Sequence, residues 1–203
     1  MNQNLAVKQR TPAQVIQNVY HILPSTNLFS VCMSGLYNRN TMNKRHYTDY
    51  SDQDVQKIRS GKRLGHYPLH DYVCTFLNPQ NKMSYRYQKE NRNFVIIQLS
   101  TKTLLEYNWF LSVRNAACQN ATFFYKDENA IDCALIRKIK SREKGQTDLK
   151  MSEILFFTQR IHPHYISKII LHPKDQIEPY YSLMNRGFEF MYDYEYHYYC
   201  PGC

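Results

Sequence analysis

A chain of 203 residues is long enough to bury a core without disulfides and too short for a second large domain. Its 26 Lys plus Arg outweigh 17 Asp plus Glu, and the resulting +9 points to a polyanionic partner, nucleic acid first. No run approaches the roughly 20 apolar residues of a spanning helix, and the opening MNQNLAVKQR lacks the apolar region of a secretory signal, so a cytoplasmic protein with no membrane partner is expected.

In chain order, Val19 to Leu23 reads as a short strand, followed by a helix from Ser25 or Thr26 to Met33 with Gly35 at its C-terminal position. Ser51 is expected to cap a helix through Val55 and Arg59 that stops at Gly61. Tyr72–Leu77 and Phe94–Leu99 are strand-like, Ser100 or Thr101 starts a short helix, and Trp109–Val113 is a strand. A helix is expected around Asn115–Tyr125, then a segment, Ile131–Lys150, that ends in the polar stretch KSREKGQTDLK. Glu153–Thr158, Ile166–Leu171 and Phe188–Tyr192 read as strands, with a helix from Gln176 to Asn185 closed by Gly187. Short mixed elements at hairpin-scale spacing give an α+β class with a strongly bent or split sheet. There is no repeat or linker, so residues 1–203 form one domain, with 1–18 an N-terminal extension and 194–203 a tail.

Six cysteines, at 32, 74, 118, 133, 200 and 203, are scattered through apparent core elements, which suits reduced buried thiols. Cys200 and Cys203 form a terminal CxxC, but no second pair completes four zinc ligands, and His197 is the nearest additional candidate. No metal is expected. Eighteen Tyr and ten Phe are mostly core material, yet Tyr85-Arg86-Tyr87 and Lys44-Arg45-His46-Tyr47 set aromatic faces beside cations, as single-stranded nucleic-acid binders do.

Three residues invite a chemical reading. Glu153 opens an otherwise apolar strand, EILFFT, where a carboxylate fits a solvent edge, a buried ion pair or a catalytic group facing a cleft. His21 lies in the first strand beside a helix start, where a core histidine and a ligand contact both fit. Arg59 ends SDQDVQKIR, as a surface charge complementing the helix dipole or as a fork for a polyphosphate.

The string VYHILPSTNLFSVCMSGL resembles the opening signature of the DarT family of DNA ADP-ribosyltransferase toxins. DVQKIR, LHDYV, NPQNKMSY, RNAAC with ATFFY, and KMSEILFFTQRIHPHYISKIIL follow in that family's order, so the likeness runs from about Val19 to Leu171. It implies the ADP-ribosyltransferase fold, a split pair of sheets around a cleft that holds NAD⁺, with NAD⁺ as co-substrate. By the same likeness Arg59 and Glu153 match the catalytic arginine and glutamate. Tyr20, His21, Asn27 and Leu28 belong to the NAD⁺ cradle, and Phe76 and Met83 to its apolar walls.

This sequence departs from the family at Met151 (commonly Gln), at Ile58 (often Arg), at Thr75-Phe76-Leu77 and at Ser112-Val113-Arg114-Asn115. These changes fall on the acceptor side. Met151 is expected to share the Glu153 side of its strand by period-two alternation and to contribute shape, with Arg114 and Asn115 reading the base. Arg137, Lys138 and Lys140 would clamp a phosphate backbone, although such a run also fits a solvated face. The resulting expectation is a toxin that transfers ADP-ribose to a base of single-stranded nucleic acid, DNA before RNA, opposed by an antitoxin that often carries a macrodomain. A non-catalytic nucleic-acid-binding module is the competing reading, and the joint presence of His21, Arg59 and Glu153 argues against it.

Overall fold

The structure, a computed structural model, describes residues 11–126, 131–141 and 146–193. In chain order its strands are β1 (Val19–Pro24), β2 (Leu36–Tyr37), β3 (Arg63–Leu64), β4 (Tyr67–Pro68), β5 (Val73–Phe76) and β6 (Phe94–Leu99). They continue with β7 (Trp109–Val113), β8 (Thr122–Tyr125), β9 (Glu153–Phe156), β10 (Arg160–Ile161), β11 (Ile166–Leu171) and β12 (Phe190–Tyr192). The helices are α1 (Pro12–Ile16), α2 (Leu28–Ser34), α3 (Arg39–Met42), α4 (Gln53–Gly61), α5 (Lys82–Lys89), α6 (Lys102–Glu106), α7 (Cys133–Lys140) and α8 (Tyr181–Met184).

Eight strands pair in the order β12-β11-β6-β1-β5-β9-β7-β8, antiparallel except for β11 with β12. The expected α+β class and split sheet take a specific form here. β1 pairs with β6 along its whole length, but with β5 through one register pair, Tyr20 with Phe76. Two four-stranded halves therefore meet over a single residue pair, and the opening beyond it becomes the floor of a cleft.

Alternation along β1 explains the two cores. Val19 and Leu23 join the larger cluster with Leu28, Ile97, Trp109, Ile136 and Ile169, while Tyr20 and Ile22 join the opposite face with Phe76, Tyr87 and Ile96. Each such side chain fully removed from water contributes about 1.5–3 kcal/mol.

Local chemistry sets the helix starts. α4 is capped by Asp52, whose Oδ1 accepts from the Asp54 and Val55 amides at 3.1 and 3.2 Å. Ser51, expected to be the cap, instead donates its amide to Asp49 Oδ1 at 2.9 Å. The helix expected over Asn115–Tyr125 is a turn followed by β8. Its β-branched and aromatic TFFY pairs with β7, Phe110 facing Tyr125, and cross-strand packing overrides the helical reading. The helix expected from Gln176 to Asn185 is a 3-10 turn and the single turn α8, because Pro179 fits only the first turn of a helix. Cys32 is buried, Cys74 and Cys133 are half-buried, and Cys118 is exposed, so the thiols are only partly core. All four are reduced. Cys200 and Cys203 lie outside the described residues.

Gly35 joins α2 to β2 with φ +94°, and a Cβ there would meet the Ile161 carbonyl oxygen at 2.3 Å. Both the left-handed backbone and the close approach of β10 require glycine. Gly35→Ala is expected to destabilise the fold by at least about 2 kcal/mol, read as a lower urea midpoint at unchanged m-value. Wild-type stability in this variant would contradict the packing of β2 against β10.

Candidate active site

A cleft of about 620 Å³ opens where β1 and β5 part, with His21, Arg59, Cys74, Phe76 and Glu153 among its lining residues. Its size suits an extended organic ligand. Register assembles part of this lining, since Glu153 is opposed by Phe76 on one side and by Ser112 on the other.

Glu153 is 1% exposed and Arg59 is 6% exposed. The guanidinium meets the carboxylate in a bidentate fork, with Nη1 to Oε1 at 3.0 Å and Nη2 to Oε2 at 2.9 Å. Nη1 also lies 3.4 Å from Asn115 Oδ1, and Nη2 lies 2.7 Å from Cys74 Sγ. Burial works against the charge of Arg59, but Cys74 and Glu153 outweigh it and hold its pKa above the usual arginine value. The Cys74 thiol is pushed up to about 11 by burial, with Arg59 acting in the opposite sense. Arg59 is thus a fixed cation in the cleft wall, and neither a surface charge nor a proton acceptor.

His21 Nδ1 lies 2.9 Å from the Cys74 carbonyl oxygen, bridging the strands where their ladder stops. Because the carbonyl only accepts, Nδ1 carries the hydrogen in the neutral ring and Nε2 is left as an acceptor toward the cleft. Burial lowers the imidazole pKa, and the Cys74 hydrogen bond only partly opposes it.

Asn27 also lines the cleft, but its side chain is bound to the chain segment opposite. Its Nδ2 donates to the Thr48 carbonyl at 2.7 Å, and the Thr48 amide donates to its Oδ1 at 3.0 Å. Residues 47–52 thereby form a strap along the cleft, tied further by Arg39 to Asp49 at 2.6 Å and by Arg86 to Asp52 at 3.1 Å and to the Tyr50 carbonyl. Arg39 and Ser51 lower the Asp49 pKa despite its burial. Sequence reading missed Thr48, Asp49, Tyr50, Cys74 and Arg86 as parts of the site. No local signal marks them, because each acts on a residue distant in the chain. Within Tyr85-Arg86-Tyr87, Arg86 holds the strap and Tyr87 is buried, so the Tyr87 ring has no exposed face for a base.

The remaining sequence candidates divide. Phe76 and Met83 line the cleft as expected, whereas Tyr20 and Leu28 are core residues that do not line it. Met151 lines it from a 3-10 turn (Leu149–Met151), not from the strand, so the period-two argument for its orientation does not apply. Asn115 accepts from Arg59 and from the Ala117 amide at 2.8 Å, which leaves only its NH₂ for an acceptor. Arg114 lines the cleft at φ +78°, its amide donating to Ser152 Oγ at 3.0 Å. Such a backbone in a non-glycine residue stores about 1–3 kcal/mol. On α7, Arg137 and Lys138 are exposed and away from the cleft lining, and the Lys140 ammonium donates to the Ile16 carbonyl. Lys140 therefore docks α7 onto α1 and is not available as a phosphate clamp.

Among the described residues, no cluster of His, Cys, Asp and Glu is placed to hold a metal ion. No described helix is long and apolar enough to cross a membrane.

The structure is similar to Thermosipho africanus DarTG in complex with ADP-ribose, with a TM-score of 0.78 at 18% identity over 90% of this chain. The match covers 51% of that protein, so the chain spans about half its length. It is also similar to Thermus sp. 2.9 DarT in complex with ADP-ribosylated ssDNA (TM-score 0.74, 14% identity, 94% of this chain and 99% of that one). A third similar structure is Thermus sp. 2.9 DarT in complex with NAD⁺ (TM-score 0.69, 15% identity, 90% and 98%). No curated protein matches the sequence. Residues 20–199 match the family described as ssDNA thymidine ADP-ribosyltransferase, DarT. The chain belongs to the DarT family of NAD⁺-dependent ADP-ribosyltransferases.

Two stability outcomes follow from this geometry. Glu153→Ala leaves a buried guanidinium unpaired and is expected to cost about 3–5 kcal/mol, while the double variant Arg59→Met, Glu153→Leu regains most of the loss. Equal stability of wild type and Glu153→Ala in urea unfolding would contradict the buried pair. His21 has its folded pKa below the ordinary 6.5, so its stabilisation is complete above that value and declines as pH falls below it. His70, lowered by burial first and then by Arg59 and Arg39, acts in the same sense. Urea midpoints are expected to drop between about pH 7 and pH 5, less steeply in His21→Asn, and an unchanged pH slope in that variant would contradict the neutral buried ring.

Proposed function

We propose that this chain transfers ADP-ribose from NAD⁺ to a base of single-stranded DNA, with thymidine the first base to test, through Glu153, Arg59 and His21. The observation that carries this reading is the buried bidentate Arg59–Glu153 pair in the cleft of a DarT-family chain. Glu153 accepts from both Arg59 nitrogens and from the Ala116 amide at 3.4 Å. A carboxylate has about four lone-pair positions, so one on Oε2 stays open for a ribose hydroxyl.

In the reaction, the nicotinamide–ribose bond breaks with its electron pair, and nicotinamide leaves neutral. Positive charge grows on the ribose, where the fixed carboxylate of Glu153 stabilises it more than in the ground state. A base atom then bonds to the ribose C1′, and its proton leaves to water. Arg59, held positive, stabilises the anionic acceptor without taking that proton. His21 Nε2 accepts from a ribose hydroxyl, and Phe76 and Met83 exclude water beside the nicotinamide. Arg114, the Asn115 NH₂ and Met151 face the acceptor side, and the exposed Arg137 and Lys138 contact more distant backbone. The toxin role, and a neutralising partner with it, belong to the same proposal.

The test incubates the protein with NAD⁺ and matched DNA and RNA oligonucleotides, each varying one base, and reads mass addition. ADP-ribose on DNA is the expected product, and modification of RNA alone would replace the acceptor assignment. Arg59→Lys is expected to lose at least about 100-fold in rate, because a point charge cannot serve Glu153, Asn115 and Cys74 together. Full activity in this variant would remove Arg59 from the mechanism.

A further inference from the structure

A second cationic arrangement stands at the cleft rim, built around Tyr37. Tyr37 lines the cleft and opposes Arg160 across the β2–β10 ribbon, which Gly35 draws tight. Arg160 places Nη1 3.3 Å from the Tyr37 hydroxyl oxygen and its guanidinium carbon 5.7 Å from the ring centroid. Arg45, from the segment after α3, stacks its guanidinium carbon 4.1 Å from the same centroid. Arg160 Nη2 is also 3.1 Å from His162 Nε2, so the next side chain along is an imidazole and not an acid.

Both cations lack a counter-charge and share one aromatic ring. Arg39, Arg59, Arg86 and Arg92 each lie within ion-pair distance of a carboxylate, whereas among the described residues no carboxylate pairs with Arg45 or Arg160, and these two meet on Tyr37. Two like charges gathered on one ring repel each other, and the aromatic face offsets this only in part. The Tyr37 phenol registers the local field: its pKa is lowered by the Arg160 hydrogen bond first, against burial, with Arg45 adding to it. Each guanidinium keeps N–H donors beyond those engaged by Tyr37 and His162, and the Tyr37 hydroxyl, which accepts from Arg160, keeps its proton to donate to an anion.

We propose that Arg45, Tyr37 and Arg160 form a phosphate subsite at the cleft rim, taking one phosphate group of the nucleic-acid backbone or of the dinucleotide. The planar forks match phosphate oxygens, and attachment to a strand pair and to an aromatic face holds them in place. The source of the phosphate rests on the reading of the cleft as the place of ADP-ribose transfer, but the subsite itself rests only on the residues.

The test uses Arg45→Gln, Arg160→Gln and the double variant in the full chain. Inorganic pyrophosphate is titrated first by calorimetry. Wild type is expected to bind it and the double variant to lose at least tenfold. No binding to wild type, or equal binding to both, would overturn the subsite. Anisotropy with a labelled single-stranded oligonucleotide and calorimetry with NAD⁺ then identify the source. A weaker strand affinity with a salt slope reduced by about one per arginine assigns the backbone, and weaker NAD⁺ binding at unchanged strand affinity assigns the dinucleotide. If pyrophosphate binding is lost in the variant while neither NAD⁺ nor strand binds wild type, the subsite stands and the proposed function falls.

Discussion

A carboxylate and a guanidinium buried together at the seam of a divided sheet constrain most of what surrounds them. Neither Glu153 nor Arg59 is tolerable alone at such burial, and their pairing is favourable only because a fork geometry, an amide and a thiol complete the hydrogen bonding. α4, which packs on the Leu69–Asp71 turn and on β4, must therefore present its last turn to Glu153, with its Asp52 cap setting where the helix starts. The sheet must also open at that point. One register pair between β1 and β5 gives the opening, and His21 bridges it with a side chain where the backbone ladder ends.

The same economy of polar groups governs the strap over residues 47–52. Tyr50 is its apolar anchor, packed edge-on against Tyr87, and side chains reaching from elsewhere tie down the rest: Asn27 onto Thr48, Arg39 onto Asp49 and Arg86 onto Tyr50 and Asp52. Segments held by a few polar ties at the surface open at lower free energy than a packed core. A strap of this kind suits a cleft that must admit a long, charged co-substrate and afterwards release its products.

Much of this architecture is legible in the amino-acid order, for reasons specific to each element. Trp109–Val113 and Ile166–Leu171 read correctly because a β-branched or aromatic apolar run has no competing helical periodicity. Asn115–Tyr125 misleads because its first half is a turn around Asn115 and only its last four residues carry strand chemistry. Arg59 is ambiguous from its surroundings alone, since the partner that makes it a buried cation lies 94 positions away. Glu153 is readable as anomalous, a carboxylate at the head of an apolar strand, but its burial is set by β5 and β7 on either side. The cationic run on α7 misleads in the opposite way, because Lys140 looks like its neighbours and yet docks a helix.

In the proposed reaction Glu153 meets the charge that develops on the ribose and only secondarily holds NAD⁺. Single-turnover release of nicotinamide, measured beside the NAD⁺ dissociation constant in wild type and Glu153→Gln, separates the two roles directly. Glutamine keeps the size and one acceptor for Arg59 but removes the negative charge. The rate is expected to fall by roughly 10²–10³ while the dissociation constant changes only a few-fold. A variant that released nicotinamide at the wild-type rate, with only its NAD⁺ affinity reduced, would contradict the assignment of Glu153 to the transition state.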